Sequence, residues 1–402
     1  MLERLNDNIE LIMNEFFPIG ALKDSVGVTR LGYTEVEDEM HDKFLELARK
    51  FGLNTYVDEI GNSFAHIGDF DEYHLIGSHL DSVVDGGRYD GVAGVAIGLA
   101  IMKILVEDGK KLPLKTVAFR CEESANFMTP LTGSSLITGV TKFDTMRDIK
   151  SRTGISYEEI FKERGYSENP KKIDGIIDYI ELHIEQARVL EDEELEIGIV
   201  NVITGVTSIT GEIIGMAEHA GATPMNLRAD SLAAVAEIIL AVEEIGTNET
   251  PTSVGTVGFV ENKPNAMNVV PGYTKFSMDT RDINNDSMAS SMRKIQERIL
   301  EICDRRKVEA VLTPPIVSPA VTLSQRMIDE FEQIAKRDGY KYKVMPSGAG
   351  HDCNNMAKFW DSILIFVPCK EGVSHNPNEY VSVEEMGRGA EIILKYLIEK
   401  NK

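Results

Sequence analysis

The fold assignment depends on one segment near the first quarter of the chain, which reads Gly77-Ser78-His79-Leu80-Asp81-Ser82-Val83-Val84-Asp85-Gly86-Gly87-Arg88-Tyr89-Asp90-Gly91-Val92. It follows a short apolar run and precedes a run of small apolar residues at 92–105, which predicts a strand, a glycine-rich turn and a helix. Bound groups commonly lie at such a strand end in α/β proteins. The turn carries His79, Asp81 and Asp90, and an imidazole with carboxylates at this spacing predicts half of a divalent metal site. A polar loop with an incidental histidine is the alternative.

The composition indicates a globular protein with more than one domain. The chain has 402 residues, of which 43% are hydrophobic and 27% are charged, and this length usually exceeds what one core accommodates. No run approaches the roughly 20 apolar residues that span a membrane, and the first residues lack the pattern of a signal peptide. The four cysteines match no zinc-finger spacing. These features predict a cytoplasmic protein with no membrane partner.

The charge balance excludes one class of partner. Asp and Glu number 65 against 42 Lys and Arg, which gives a net charge of −23. Such a surface repels phosphate backbones, so nucleic acid is not expected to bind. The charge does not identify a substrate, and an acidic substrate would need arginine close to it.

Two patterns of predicted elements alternate along the chain. Strands and helices alternate through residues 1–209, with a charged helical hairpin at 143–164, which predicts an α/β sheet with helices on its faces. Residues 210–318 read as strand, helix, strand, strand, helix and strand, which predicts a smaller α+β domain with an antiparallel sheet. A proline-rich linker follows, and the α/β pattern resumes in residues 319–402. The small domain is therefore predicted to be inserted into the larger one.

The eight histidines divide by context. His41 lies on a charged predicted helix and is expected at the surface, whereas His66 and His74 lie in strand-like runs and are expected to be structural. The remaining five lie in polar, glycine-rich or acidic segments and are the candidates for chemistry: His79, His183, His219, His351 and His375.

Adjacent carboxylates, Glu122 and Glu123, directly follow a predicted buried strand at 116–120. Successive side chains at a strand end point to opposite sides, so one can bind a metal while the other faces a substrate. A surface acidic pair is the alternative in so acidic a chain.

Two further histidines lie at the ends of predicted elements. His183 alternates with Glu181 and Glu185, which would place polar support on its face. His375 lies in a rigid turn after another strand. With the residues above, these provide enough donors for two metals that share a bridging carboxylate.

Together these segments resemble the dinuclear metallohydrolases of M20 type, and their flanking residues resemble the amidase branch of that family. The branch contains N-carbamoyl-L-amino-acid hydrolases, allantoate amidohydrolases and β-ureidopropionases. The resemblance covers nearly the whole chain. The shared motifs are Gly77-Ser78-His79-Leu80-Asp81-Ser82-Val83, Gly86-Gly87-Arg88-Tyr89-Asp90-Gly91, Glu181-Leu182-His183-Ile184-Glu185-Gln186, His219-Ala220-Gly221-Ala222-Thr223-Pro224-Met225 and Gly348-Ala349-Gly350-His351-Asp352.

The resemblance implies a mixed-sheet, metallopeptidase-like catalytic domain with an inserted lid and dimerisation domain. It also implies two divalent metal ions, zinc or manganese, with cobalt or nickel suited to the same donors. Asp81 would orient a ligand, and Glu122 would be the general base. One ion would be bound by His79, Asp90 and His183, and the other by Asp90, Glu123 and His375.

The same resemblance implies the substrate site of a homodimer formed through the lid. His219 would stabilise the developing oxyanion and reach the site of the neighbouring subunit. Arg281 suits a substrate carboxylate, with an ion pair to Asp279 or Asp282 as the alternative. The residues that match substrate-binding positions of the family are Gln186, His219, Asn268, Arg281 and His351.

The activity that the resemblance implies is hydrolysis of the ureido group of an N-carbamoyl-L-amino acid or related small acid, which releases an amine, carbon dioxide and ammonia. Hydrolysis of allantoate is the runner-up, followed by deacylation of an N-acyl-amino acid. A catalytically silent homologue that binds a ligand is the alternative outside enzymes, and the presence of Glu122 argues against it. The chain departs from the family pattern at Asn126, which replaces an arginine, and at Ala187, which replaces a glycine.

Overall fold

The computed structural model describes residues 1–402, and none of its helices combines the length and apolar character needed to cross a membrane. The chain forms two compact units. One consists of Met1–Asn201 with Thr322–Lys402, and the other of Val202–Val321. The predicted mixed α/β fold is confirmed.

Helices and strands are distributed over the whole chain. The helices are α1 (Leu2–Phe16), α2 (Glu35–Lys50), α3 (Val92–Glu107), α4 (Thr132–Thr138), α5 (Tyr157–Arg164), α6 (Val189–Asp192), α7 (Ser231–Glu249), α8 (Asn285–Arg306), α9 (Gln325–Asp338), α10 (Cys353–Met356) and α11 (Val383–Lys400). The strands are β1 (Asn54–Val57), β2 (Ser63–His66), β3 (Tyr73–His79), β4 (Leu114–Phe119), β5 (Ile176–Ile184), β6 (Ile197–Ile203), β7 (Gly205–Ile214), β8 (Glu218–His219), β9 (Val254–Lys263), β10 (Val269–Val270), β11 (Tyr273–Asp282), β12 (Glu309–Leu312), β13 (Ile316–Ser318), β14 (Val321–Thr322), β15 (Tyr342–Ser347) and β16 (Asp361–Val367).

A nine-stranded mixed sheet organises the first unit. Its strand order is β1-β2-β4-β3-β5-β16-β6-β14, with β15 beside β6. The central strands β4, β3, β5 and β16 run parallel, while β1, β2 and β6 pair antiparallel with their neighbours. Because parallel strands end at one edge of a sheet, the residues that follow these four strands lie close together.

Helix α3 forms the centre of the core of this unit. Its residues are apolar on nearly every side and almost all of them are buried, which is typical of a helix enclosed by other elements. Gly94 allows close packing, since a Cβ at that position would lie 2.4 Å from the carbonyl oxygen of Leu182 in β5. The first turn of α3 is thereby fixed directly beside the sheet edge.

The second unit has an antiparallel sheet with the order β12-β7-β11-β9, and β13 also pairs with β7. Apolar side chains of α7 and α8 pack with those of the sheet, and Val235, Phe276 and Ile295 are fully buried there. Strands β8 and β10 form a separate pair. Residues 210–318, predicted as an inserted domain, all lie within this unit.

Two local predictions are wrong. Residues 143–164 do not form a helical hairpin: a single 3-10 turn at Phe143–Thr145 precedes an extended bridge between Lys150 and Ser156, and α5 begins after Ser156 with a capping box. His41 is 1% exposed rather than at the surface, and its Nδ1 lies 2.9 Å from Ser63 Oγ of β2. The charged residues of α2 obscured the face that packs on the sheet.

Candidate active site

Five potential metal ligands converge at the carboxyl edge of the parallel strands. His79 ends β3, His183 lies on β5, and Glu123 follows β4. Asp90 precedes α3, and His375 follows β16. They form two groups, His79 with Asp90 and His183, and Asp90 with Glu123 and His375; within each group, one donor atom from every residue lies within 4.8 Å of the others.

The distances between donor atoms match the coordination shell of a small divalent ion. In the first group, Asp90 Oδ1 lies 3.1 Å from His183 Nε2 and 3.4 Å from His79 Nε2. In the second, His375 Nε2 lies 3.0 Å from Glu123 Oε1 and 3.5 Å from Asp90 Oδ2. Ligands about 2.1 Å from a tetrahedral ion are separated by about 3.4 Å. Both groups therefore have the spacing that such an ion requires.

Asp90 belongs to both groups, one oxygen to each. Its Oδ2 also accepts hydrogen bonds from Gln186 Nε2 at 2.7 Å and Ser374 Oγ at 2.8 Å. Glu379 accepts the backbone N–H of Asp90 at 2.9 Å, and its other carboxylate oxygen lies 3.0 Å from Ser374 Oγ, whose single proton it shares with Asp90. A carboxylate fixed in this way can bridge two ions. Sequence reasoning missed Ser374 and Glu379, although they lie one residue before and four residues after His375.

The two buried histidines are oriented by their Nδ1 atoms. His79 Nδ1 faces the carboxylate of Asp81 at 3.3 Å and its carbonyl at 3.2 Å, and His183 Nδ1 lies 2.9 Å from the Ile184 carbonyl. A proton on Nδ1 leaves the Nε2 lone pair directed at Asp90. Gly91 N–H lies 3.2 Å from His183 Nε2, which agrees with an unprotonated Nε2.

Of the two glutamates predicted to support His183, Glu181 acts on it through its charge, which raises the pKa of His183 against the effect of burial, whereas Glu185 does not contact it. Glu185 accepts the backbone N–H groups of Val189 and Leu190 at the start of α6. Glu181 accepts the hydroxyl of Ser78 and the N–H of Cys353. The hydrogen bonds of both carboxylates are therefore made to neighbouring segments rather than to the histidine ring.

Glu122 lies beside the first group without belonging to it. Its Oε2 is 3.8 Å from His79 Nε2, and its backbone N–H donates to Asp81 Oδ1 at 3.0 Å. The next N–H, that of Glu123, donates to Asp81 Oδ2 at 3.0 Å. Burial raises the pKa of Glu122 well above its usual range, and the neighbouring Glu123 raises it further against the opposing effect of His79.

The electrostatics of the site favour a dication. Asp81, Asp90, Glu122 and Glu123 are all less than 9% exposed, so several carboxylates share a space from which water is largely excluded. The hydrogen bond to Glu123 raises the pKa of His375 to about 9. The residues present therefore fit two divalent metal ions by donor type, spacing and charge.

Two polar residues near this centre differ in their surroundings. Gln186 donates to Asp90, while its own Oε1 is buried without a hydrogen-bond partner. His351 is 2% exposed, packs edge-on against the His183 ring at 4.5 Å, and has its Nε2 2.9 Å from Ser347 Oγ. Burial holds the pKa of His351 well below its usual range.

Asn126, which stands where the resembling family has arginine, is a scaffold residue. It is 5% exposed, its Nδ2 donates to the Gly32 carbonyl at 2.7 Å, and its Oδ1 accepts the Arg152 N–H at 3.3 Å. Both polar ends of its side chain are therefore occupied by the backbone.

In the second unit, His219 and Asn268 lie together and Arg281 lies apart. Val269 pairs with His219, and the Asn268 carbonyl accepts the Ala220 N–H at 2.9 Å. Arg281 lies near the far end of β11, which extends about 26 Å from Tyr273 at a rise of about 3.3 Å per residue. Its guanidinium lies 3.5 Å from Asp279 Oδ2, so the alternative ion pair is present.

The hydrogen bonds of the His219 imidazole define its tautomer. Its Nδ1 accepts the backbone N–H groups of Gly221 at 3.0 Å and Ala222 at 3.1 Å. The proton of the neutral ring therefore lies on Nε2, and the side chain is exposed. His219 consequently presents a hydrogen-bond donor to its surroundings.

Comparison with known proteins identifies the family of this chain. Residues 75–399 match the family described as peptidase family M20/M25/M40. The chain is 36% identical to an N-carbamoyl-L-amino acid amidohydrolase of Geobacillus stearothermophilus and 32% identical to the allantoate amidohydrolase of Escherichia coli, over 92% and 91% of each pair of chains. A crystal structure of a hydantoinase/carbamoylase family amidase from Burkholderia multivorans superposes with a TM-score of 0.89 at 29% identity, covering 98% of this chain and 97% of that one. The chain therefore belongs to peptidase family M20/M25/M40, and within that family it is an amidohydrolase.

Proposed function

We propose that this amidohydrolase uses two divalent metal ions to remove the carbamoyl group of an N-carbamoyl-L-amino acid or related small ureido acid. The products would be the amine, carbon dioxide and ammonia. The observation that carries the proposal is the shared carboxylate of Asp90, which contributes one oxygen to each of two donor groups, with Glu122 beside them. The Geobacillus stearothermophilus relative supports the choice of substrate class.

His79, Asp90 and His183 would hold one ion, and Asp90, Glu123 and His375 the other. When bound, zinc, manganese, cobalt or nickel supplies Lewis acidity and lowers the pKa of water towards neutrality. Asp81 orients His79 and, through two backbone N–H groups, the segment that carries both glutamates.

Glu122 would act as the general base and then as the general acid. It would take a proton from the attacking water and return it to the leaving nitrogen of the carbamoyl group. Its burial supports this role, since a raised pKa brings a carboxylate closer to the operating pH.

The second unit would supply the substrate contacts. The Nε2–H of His219 suits the oxyanion that develops on the carbamoyl oxygen, and the planar guanidinium of Arg281 suits the substrate carboxylate. Asn268 beside His219 offers a further polar contact, and Gln186 and His351 offer contacts from the first unit.

The separation of His219 from Arg281 supports a homodimer. Arg281 lies near one end of β11, and the β8–β10 pair that contains His219 lies beside the other end, so the two side chains of one chain are too far apart to contact the same small substrate. We therefore propose that a site takes Arg281 from its own chain and His219 with Asn268 from the partner subunit. This arrangement predicts that a monomeric variant binds metal but has little activity.

The test is release of ammonia from a panel of N-carbamoyl-L-amino acids, allantoate, β-ureidopropionate and N-acetyl-L-amino acids, by protein loaded with zinc or manganese. Chelator-sensitive release from N-carbamoyl-L-amino acids supports the proposal. Activity on allantoate alone would assign the chain to the reaction of its Escherichia coli relative, and activity on acyl substrates alone would refute ureido hydrolysis.

A matched variant tests the mechanism. Glu122→Gln should retain both metals and lose about 10²–10⁴-fold in kcat, because the amide cannot accept the proton. Retention of activity by this variant, with its metal content unchanged, would exclude Glu122 as the base.

A further inference from the structure

The backbone that carries Glu122 and Glu123 is fixed by hydrogen bonds on both of its sides. Three consecutive carbonyls, those of residues 120–122, accept N–H groups from residues 131–133 at 2.7–2.9 Å. The three N–H groups of residues 121–123 all donate to buried carboxylates. Asp81 accepts the second and third of them, and Glu37 accepts the first.

This fixation acts on a strained residue. Cys121 has a φ of +51°, in the left-handed region that residues other than glycine rarely adopt. Such a conformation persists only where its surroundings enforce it. Since Glu122 and Glu123 follow directly, the conformation of Cys121 determines where both carboxylates point.

Glu37 reaches this residue from the distant helix α2. Its side chain is fully buried, and Oε1 accepts the Cys121 N–H at 2.7 Å. Its Oε2 accepts the Tyr33 N–H at 2.7 Å and Arg120 Nη1 at 2.9 Å. The carboxylate therefore faces three donors, and two of them belong to the residues at the end of β4.

The adjacent Asp38 offers a comparison within the same network. It also accepts Arg120 Nη1, at 2.6 Å, and it binds Arg164. Its contacts are with the two arginine side chains rather than with the Cys121 N–H, which Glu37 accepts. Loss of either carboxylate disturbs Arg120, but only loss of Glu37 removes the acceptor of the strained residue.

We propose that Glu37 is a positioning residue for the hydrolytic reaction, which keeps Cys121 in its left-handed conformation and thereby directs Glu122 and Glu123 into the site. This inference rests on the proposed function for the role of Glu122 as the base. The competing explanation is that Glu37 stabilises the fold only through its ion pair with Arg120.

Hydrogen exchange tests the proposal without relying on activity. In Glu37→Gln, an amide NH₂ replaces one acceptor oxygen and faces donors, so exchange of the amides at residues 121–123 should accelerate at least tenfold in the metal-free protein. The control Asp38→Asn should leave these amides within twofold of the parent. Unchanged exchange in Glu37→Gln, or equal acceleration in Asp38→Asn, would overturn the proposal.

Kinetics on the metal-loaded chain separate positioning from stability. We expect kcat to fall at least tenfold in Glu37→Gln while KM stays within twofold, and kcat of Asp38→Asn to stay within twofold. Glu37→Asp keeps the negative charge near Arg120, but its side chain is one methylene too short to accept the Cys121 N–H, so its kcat should also fall. If Glu37→Gln does not fold, Glu37→Asp replaces it in this experiment. A kcat within twofold of the parent in the Glu37 variants contradicts the proposal.

Different results would refute the proposed function and the positioning role of Glu37. A parent chain with no activity on any ureido substrate would refute the proposed function, whereas accelerated exchange at residues 121–123 in Glu37→Gln would still establish that Glu37 holds this segment. Normal activity of the parent with unchanged exchange in the variant would refute the role of Glu37 alone.

Discussion

Replacement of Asp81 by asparagine tests how far metal affinity depends on a residue that orients the proposed ligands without being one of them. The Asp81 carboxylate is fully buried, accepts the N–H groups of Glu122 and Glu123 at 3.0 Å each, and lies 3.3 Å from His79 Nδ1. Asparagine keeps the size but supplies one acceptor oxygen. Its NH₂ group would face either a backbone N–H or the imidazole N–H.

The expected losses of folding stability and of metal affinity follow from these contacts. A buried hydrogen bond to a charged group contributes about 1.5–3 kcal/mol, and the variant loses at least one, so the free energy of unfolding should fall by about 2–4 kcal/mol. Loss of a group that orients metal ligands typically lowers metal affinity about 10–100-fold. That range corresponds to about 1.4–2.7 kcal/mol of binding free energy.

The assay is competition for zinc between the metal-free protein and a chromophoric chelator, with unfolding in urea measured on the same samples. Asp282→Asn is the control, because Asp282 is also buried and accepts four hydrogen bonds, but it lies in the second unit. We expect the control to lose stability and to keep its metal affinity. A zinc affinity of Asp81→Asn within threefold of the parent would refute the reasoning.

Three further outcomes are expected. Gly91→Ala would place a Cβ about 2.4 Å from the His79 ring at a φ of +68°. The free energy of unfolding in urea should therefore fall by about 1–3 kcal/mol, and the zinc affinity measured by chelator competition should fall as well. An unchanged zinc affinity would contradict this prediction. Arg281→Lys should raise KM for carboxylate substrates about tenfold with little change in kcat, because lysine cannot form the paired hydrogen bonds; an unchanged KM would assign carboxylate binding elsewhere. Burial holds the pKa of His41 well below 6.5, so as the pH falls below 6.5 His41 takes up a proton in the unfolded chain but not in the folded one. The free energy of unfolding should therefore decrease by up to about 1.4 kcal/mol per pH unit. Urea unfolding of His41→Gln should show a shallower decrease with falling pH.

The residues of the donor groups were predictable from the sequence, whereas their assignment to two separate ions came from the resemblance to the M20 family. His79 and His183 lie at or near the ends of strands whose apolar runs are evident in the sequence, and parallel strands bring such ends together; Asp90 lies in the turn before α3. The structure places these residues as expected, whereas their roles as ligands remain predictions.

The supporting residues were not predictable in this way. Glu37 and Glu379 act on segments 84 and 289 positions away, and nothing in their own surroundings distinguishes them from the many acidic residues of the chain. Their function depends on which backbone N–H groups the fold presents to them. The burial of His41 was missed for the same reason, since it depends on the sheet that α2 covers.

The strand order of the mixed sheet constrains how the chain matures during synthesis. The second unit is one continuous segment, Val202–Val321, and can fold as soon as that segment leaves the ribosome. The first unit cannot, because β16 lies between β5 and β6 and is made only after the second unit. Until then β5 has an open edge inside a growing sheet, and His375 has not been made. A nascent chain that ends before Asp361 would therefore expose this edge to other chains, and its second donor group would lack His375.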